Sequence, residues 1–147
     1  MSMANPYSKQ AGAYKQSQIE TASPEEILIM LYDGAIRFLL VAKKAHDAGE
    51  IEKRHKNILN AQHIIQEFMS SLDMEIGGEM AVNLYRLYEY LNYRLIQFNI
   101  QKDLGMLDEV LEHLRSLKKT WEEAIRIAKK ERSSVEPESS GSEILRA

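Results

Sequence analysis

The sequence predicts an all-α protein, an antiparallel up-down-up-down four-helix bundle, and three observations predict it. Proline occurs only at Pro6, Pro24 and Pro137, outside helix interiors as the caps place them. Apolar residues recur at the three-to-four spacing of a helix. Candidate caps divide the chain into four segments of similar length with short connections, and short connections force neighbouring helices antiparallel. The chain of 147 residues suffices for one domain with a single core.

Ser23-Pro24-Glu25-Glu26 opens the first helix. Serine serves as N-cap, proline takes the first helical position, and a glutamate three residues on can reach back to the cap's N–H. The helix runs to about Ala48, where Gly49 takes the left-handed conformation that ends it. A second helix covers about Ile51 to Leu72 and closes at the polar, glycine-containing stretch 73–78. The third runs from about Glu79 to Gln101. Asp103 caps a fourth, from Leu104 to about Arg132, with Gly105 weakening its first turn by under ~1 kcal/mol relative to alanine. At 1.5 Å per residue each helix is roughly 33 to 43 Å long. The bundle thus occupies 23–132. Before it lies a polar segment, 1–22, that carries Tyr7, Tyr14 and Ile19; after it, 133–147 has the composition of a disordered tail.

Composition narrows the function. Hydrophobic residues make up 44% and charged ones 28%, and a formal net charge of -3 argues against a phosphate-binding surface, so nucleic acid is a poor partner. The absence of cysteine removes disulfide scaffolds, thiolate catalysis and cysteine-based metal sites, and fits a reducing compartment. Residues 1–20 contain no apolar core of a signal peptide, and the longest apolar run, Ile27 to Tyr32, is far short of the ~20 residues that span a bilayer. The expectation is a cytoplasmic protein without membrane insertion.

The helical faces are more informative. In the fourth helix Leu107, Val110, Leu111, Leu114, Leu117, Trp121, Ala124, Ile125 and Ala128 form one stripe. The third helix assigns Met80, Leu84, Leu87, Tyr88, Leu91, Leu95 and Phe98 to one face and has apolar residues left over. Val82, Tyr85, Tyr93, Ile96 and Ile100 cluster about opposite, at 100° per residue. The first helix shows a similar excess in Ile27, Met30 and Val41, beside a core stripe of Leu28, Leu31, Ala35, Phe38, Leu39 and Ala42. A four-helix bundle has one interior. Either the amino-terminal segment covers a second face, or the stripe is simply wide, or an apolar groove remains outside as a partner site. The first and last combine if Tyr7, Tyr14 and Ile19 form a lid over groove residues Tyr85, Tyr93, Ile96 and Ile100, displaced when a better apolar helix arrives.

Catalytic machinery is not visible. Glu52-Lys-Arg-His55 has the spacing of di-iron bundles but occurs once, and such a site needs a second copy and two interior glutamates. His46, His55, His63 and His113 read as solvated helix-surface residues, and no phosphate-binding loop or Gly-x-Ser-x-Gly occurs. No metal, cofactor or enzymatic activity is expected. The basic runs Lys43-Lys44, Lys118-Lys119 and 129–132 read as solvated faces.

The run from Thr21 to Leu39, TASPEEILIMLYDGAIRFL, closely resembles the start of the flagellar export chaperone FliS family. Ala61 to Glu67 through Leu72-Asp73 resembles its second helix. Leu87-Tyr88 with Tyr90, Arg94-Leu95, Asn99 and Asp103 resembles its third, and Leu107 to Arg115 with Thr120 to Ala124 its fourth. The resemblance covers about residues 5–125. It implies a non-enzymatic antiparallel bundle that binds the disordered C-terminal region of flagellin in the cytoplasm and prevents premature polymerisation. It also implies delivery to the flagellar type III secretion apparatus, with an export-gate component as partner once the client is bound. In that family the amino-terminal segment can occupy part of the client's surface, and Tyr14 matches a tyrosine of that segment. Phe98, where a small residue is expected, and the tail after Arg132 depart from the pattern. The resemblance fits a monomer or weak homodimer; the competing reading is a structural protein whose spare apolar face closes a homodimer.

Overall fold

The computed structural model describes the backbone of residues 21–146 and the side chains of residues 21–134. Among these residues the chain forms four helices: α1 (Pro24–Asp47), α2 (Ile51–Ser71), α3 (Met74–Gln101) and α4 (Leu104–Arg146). The caps explain most of the boundaries. Ser23 Oγ accepts the Glu26 N–H at 3.2 Å, with Pro24 at the first position. Glu26 answers the serine hydroxyl, at 3.3 Å, rather than the cap's N–H. At the other end Gly49 has φ 73°, the Glu50 N–H bonds back to the Ala45 carbonyl at 2.8 Å and the Gly49 N–H to that of His46 at 3.2 Å. That is the Schellman arrangement, which satisfies carbonyls the helix leaves over and needs a residue free to take positive φ.

Asp73 Oδ1 accepts the N–H groups of Glu75 and Ile76, each at 3.0 Å, and starts one turn that Gly78 interrupts with φ 54°, ψ -131°. That conformation is essentially closed to residues with a Cβ, so the continuous part of α3 begins at Glu79, as the sequence suggests. Lys102, in the left-handed region, ends α3, and Asp103 caps α4 by accepting the Gly105 N–H at 2.9 Å.

Each helix lies against two others: α1 and α3 both pack on α2 and α4, and so sit diagonally across the core. Direction follows from pairs along the α1–α4 seam. Lys43 late in α1 meets Asp108 early in α4 at 2.8 Å, and Asp33 nearer the start of α1 meets Lys118 further along α4 at 2.6 Å. The two helices are therefore antiparallel, and the short turns alternate the rest. The interior is built from Tyr32 and Leu39 of α1, Ile58, Ile65 and Phe68 of α2, Leu91, Leu95 and Phe98 of α3, and Leu107, Val110 and Leu114 of α4.

One polar cluster joins all four helices. Tyr32 stacks on Phe68 with centroids 4.4 Å apart, its hydroxyl lies 2.5 Å from that of Tyr88, and Trp121 Nε1 donates to it at 3.1 Å. Burial pushes both phenols above their ordinary range.

Several expectations need correction. Met80 is 70% exposed and leaves the α3 core stripe, where Ala81 is buried instead. Ala124 and Ala128 are exposed, because α4 outruns the neighbours that would cover them. His46 is not simply solvated: its ring stands 5.5 Å from Phe98, and its Nδ1 accepts from Arg54 Nη1 at 3.1 Å, since a guanidinium only donates. Phe98 itself is fully buried. Finally, α4 does not stop near Arg132 but continues to Arg146 with Pro137 inside it, although every residue from Arg126 to Ser134 is exposed.

Candidate functional site: the outer face of α3

The second apolar face of α3 points outward. Tyr93 is 54% exposed, Ile96 46% and Ile100 75%, while Tyr85 is half-buried. Val82 continues the stripe toward the start of the helix. These residues fall within about 80° of arc, opposite Leu91 and Phe98, so the core residues of α3 hold the face outward as a consequence of packing.

A polar border runs along the α4 side. The Tyr90 hydroxyl donates to Glu109, and Arg94 Nη2 reaches the same carboxylate at 3.4 Å. The Tyr90 hydrogen bond, helped by the Arg94 charge, holds the Glu109 carboxyl below the usual carboxylate range. Gln97 donates to the Tyr93 hydroxyl at 3.1 Å, which orients that ring along the helix surface.

On the α2 side, Ile64 lies over Gly34 of α1, and Leu59, 41% exposed, sits about 100° to 160° around the helix from Ile58, Ile65 and Ala61, turned away from the core. Leu59 was not among the groove residues the sequence suggested. The exposed side chains of α3 make a shallow apolar strip along that helix, suited to an apolar helix and holding no reacting groups.

The other candidates fare differently. Glu52 and His55 are both exposed, and among the described residues no group of three or more His, Asp or Glu is placed to hold a metal ion. No helix of the described residues is long and apolar enough to cross a membrane. Tyr7, Tyr14 and Ile19 lie outside the described residues.

Comparison with known proteins follows the same outline. The family model described as Flagellar protein FliS matches residues 4–128. The flagellar secretion chaperone FliS of Bacillus subtilis is 36% identical over 132 residues, covering 90% of this chain and 95% of its own. That of Vibrio cholerae is 38% identical over 115 residues, 76% of this chain and 85% of its own. A solved structure described as a flagellar chaperone from bacteria superposes with a TM-score of 0.66 at 16% identity, over 82% of this chain and 98% of its own, a likeness of fold. With the family match spanning the bundle from before α1 to beyond Trp121, the chain belongs to the FliS family of flagellar proteins.

Proposed function

We propose that this protein is a cytoplasmic export chaperone that binds the disordered C-terminal region of flagellin one to one, prevents its premature polymerisation, and hands it to the flagellar type III secretion apparatus. The observation that carries the reading is the apolar face of Tyr93, Ile96 and Ile100, exposed on a bundle whose core is already complete without it. A client segment with an unburied apolar stripe would gain roughly 25 cal/mol for each Å² it removes from water here. Ordering that segment costs part of the gain, which keeps the complex reversible enough for release. An export-gate component would then meet the loaded complex. Tyr7, Tyr14 and Ile19 would act as a displaceable lid over this surface in the free protein.

Calorimetric titration with a peptide of flagellin's last ~40 residues, a length that allows several helical turns, tests the reading. Binding at one to one with a negative heat-capacity change, tightened when residues 1–18 are removed, is the expected result. Failure of both forms to bind would overturn it. Sedimentation that shows a dimer resistant to dilution would favour self-association through the same face.

A further inference from the structure

A line of hydrogen bonds crosses from α4 to the outer strip of α3, and the chemistry of its first members fixes the direction of the rest. Glu109 of α4 starts it. The Tyr90 hydroxyl, then the Arg94 charge, hold its carboxyl below the ordinary range, so it stays ionised and only accepts. Arg94 Nη2 lies 3.4 Å from that carboxylate, and Arg94 Nη1 donates to Gln97 Oε1 at 2.8 Å. A guanidinium has no lone pair to offer, so the Gln97 amide must turn its oxygen to Arg94 and its NH2 the other way. That NH2 meets the Tyr93 hydroxyl at 3.1 Å. The phenol oxygen is therefore the acceptor in this contact, and its own proton is directed away from Gln97. Among the described residues nothing takes that proton, and Tyr93 is 54% exposed. Tyr90, also exposed, differs, because its proton is committed to Glu109. We propose that Tyr93 is a specificity-determining residue of the outer face, a fixed hydroxyl donor that selects a partner helix carrying an acceptor oxygen where it crosses Tyr93, and that Gln97 is the positioning residue that sets the direction of that donor.

This role of Tyr93 rests on the outer face being the client's surface and adds what that surface reads besides apolar area. Ile96 and Ile100 attract any apolar stripe, since the hydrophobic effect has no direction, and by themselves leave a bound helix free to slip along α3. A donor at one fixed point removes that freedom. Covering the Tyr93 hydroxyl without giving it a partner costs more than the bond gains when it forms, so the residue rejects a segment that lacks the acceptor more strongly than it attracts one that has it. The main-chain carbonyls of a bound helix are already engaged within that helix. The acceptor is therefore a side-chain oxygen, of Asp, Glu, Asn or Gln.

Calorimetric titration of the full chain with flagellin's C-terminal peptide tests both residues. Tyr93→Phe should weaken binding roughly two- to tenfold. Gln97→Glu keeps the size of the side chain and still accepts from Arg94, but it offers Tyr93 an acceptor in place of a donor and so draws the phenol proton inward. It should cost at least as much as Tyr93→Phe, and nothing further when added to Tyr93→Phe. Equal cost in both backgrounds would assign the loss to the new charge and overturn the proposal, and so would unchanged binding by Tyr93→Phe. Replacing the peptide's Asp, Glu, Asn and Gln residues with alanine in turn should find one whose loss weakens binding to the unaltered protein and not to Tyr93→Phe. Finding none would contradict a side-chain acceptor. Ile96→Asp separates this outcome from failure of the client reading: if it loses binding while Tyr93→Phe does not, the client surface stands and the donor falls, whereas a peptide that the unaltered protein does not bind takes both away. All the variants should melt within a few degrees of the unaltered protein, since Tyr93 and Gln97 lie outside the core.

Discussion

Removing the Tyr32 hydroxyl would take away the oxygen that the Tyr88 hydroxyl and Trp121 Nε1 both bond, leaving those two only their interaction with each other. Tyr88→Phe strands less, since Tyr32 keeps the indole as donor. Tyr32→Phe should therefore cost about 1–3 kcal/mol and Tyr88→Phe distinctly less, by urea denaturation. The same pair fixes a pH dependence. Burial raises both phenols above the ordinary tyrosine value of 10.0, so the native state holds protons that the unfolded chain releases. The associated stability is complete below about pH 10 and falls as pH rises beyond it, with a slope that Tyr32→Phe should reduce. Urea midpoints measured from pH 9 to pH 11 check the sign; midpoints that rise with pH would contradict it. Periodicity could assign Tyr88 to the core, but not the hydroxyl pair, because Tyr32 and Tyr88 lie 56 residues apart and meet only when all four helices close.

Among the elements, α1 was legible nearly to the residue because both its ends are written in local chemistry, a Ser-Pro start and a glycine stop. The break in α3 was legible for the same reason. Gly78→Ala should cost more than Gly49→Ala: φ 73° is a left-handed conformation that other residues enter for about 1 kcal/mol, whereas φ 54°, ψ -131° is nearly exclusive to glycine. Thermal melts of the two variants should keep that order. The end of α4 was not legible, since solvated residues carry no pattern that says whether a helix continues. Because the described side chains from Arg126 to Ser134 are exposed, deletion of residues 133–147 should leave the melting temperature unchanged while removing helical circular dichroism. A lower melting temperature would mean the extension packs on something.

For the whole molecule, helical phase identified the outward face of α3 because a four-helix bundle has a single interior, and apolar residues on a second face have nowhere inside to go. Tyr93, Ile96 and Ile100 lie on the surface as phase predicts, and Tyr85 is half-buried beside them. The proposed function rests on that face being a binding surface rather than part of the fold, and the two make different demands on Ile96. The most direct measurement compares Ile96→Asp with the unaltered protein, by calorimetric titration with flagellin's C-terminal peptide and by thermal melting. The account predicts an affinity loss of about tenfold or more with cooperative melting within a few degrees of the unaltered protein. Unchanged affinity in the folded variant would contradict it, as would joint loss of binding and fold, which would make Ile96 a core residue.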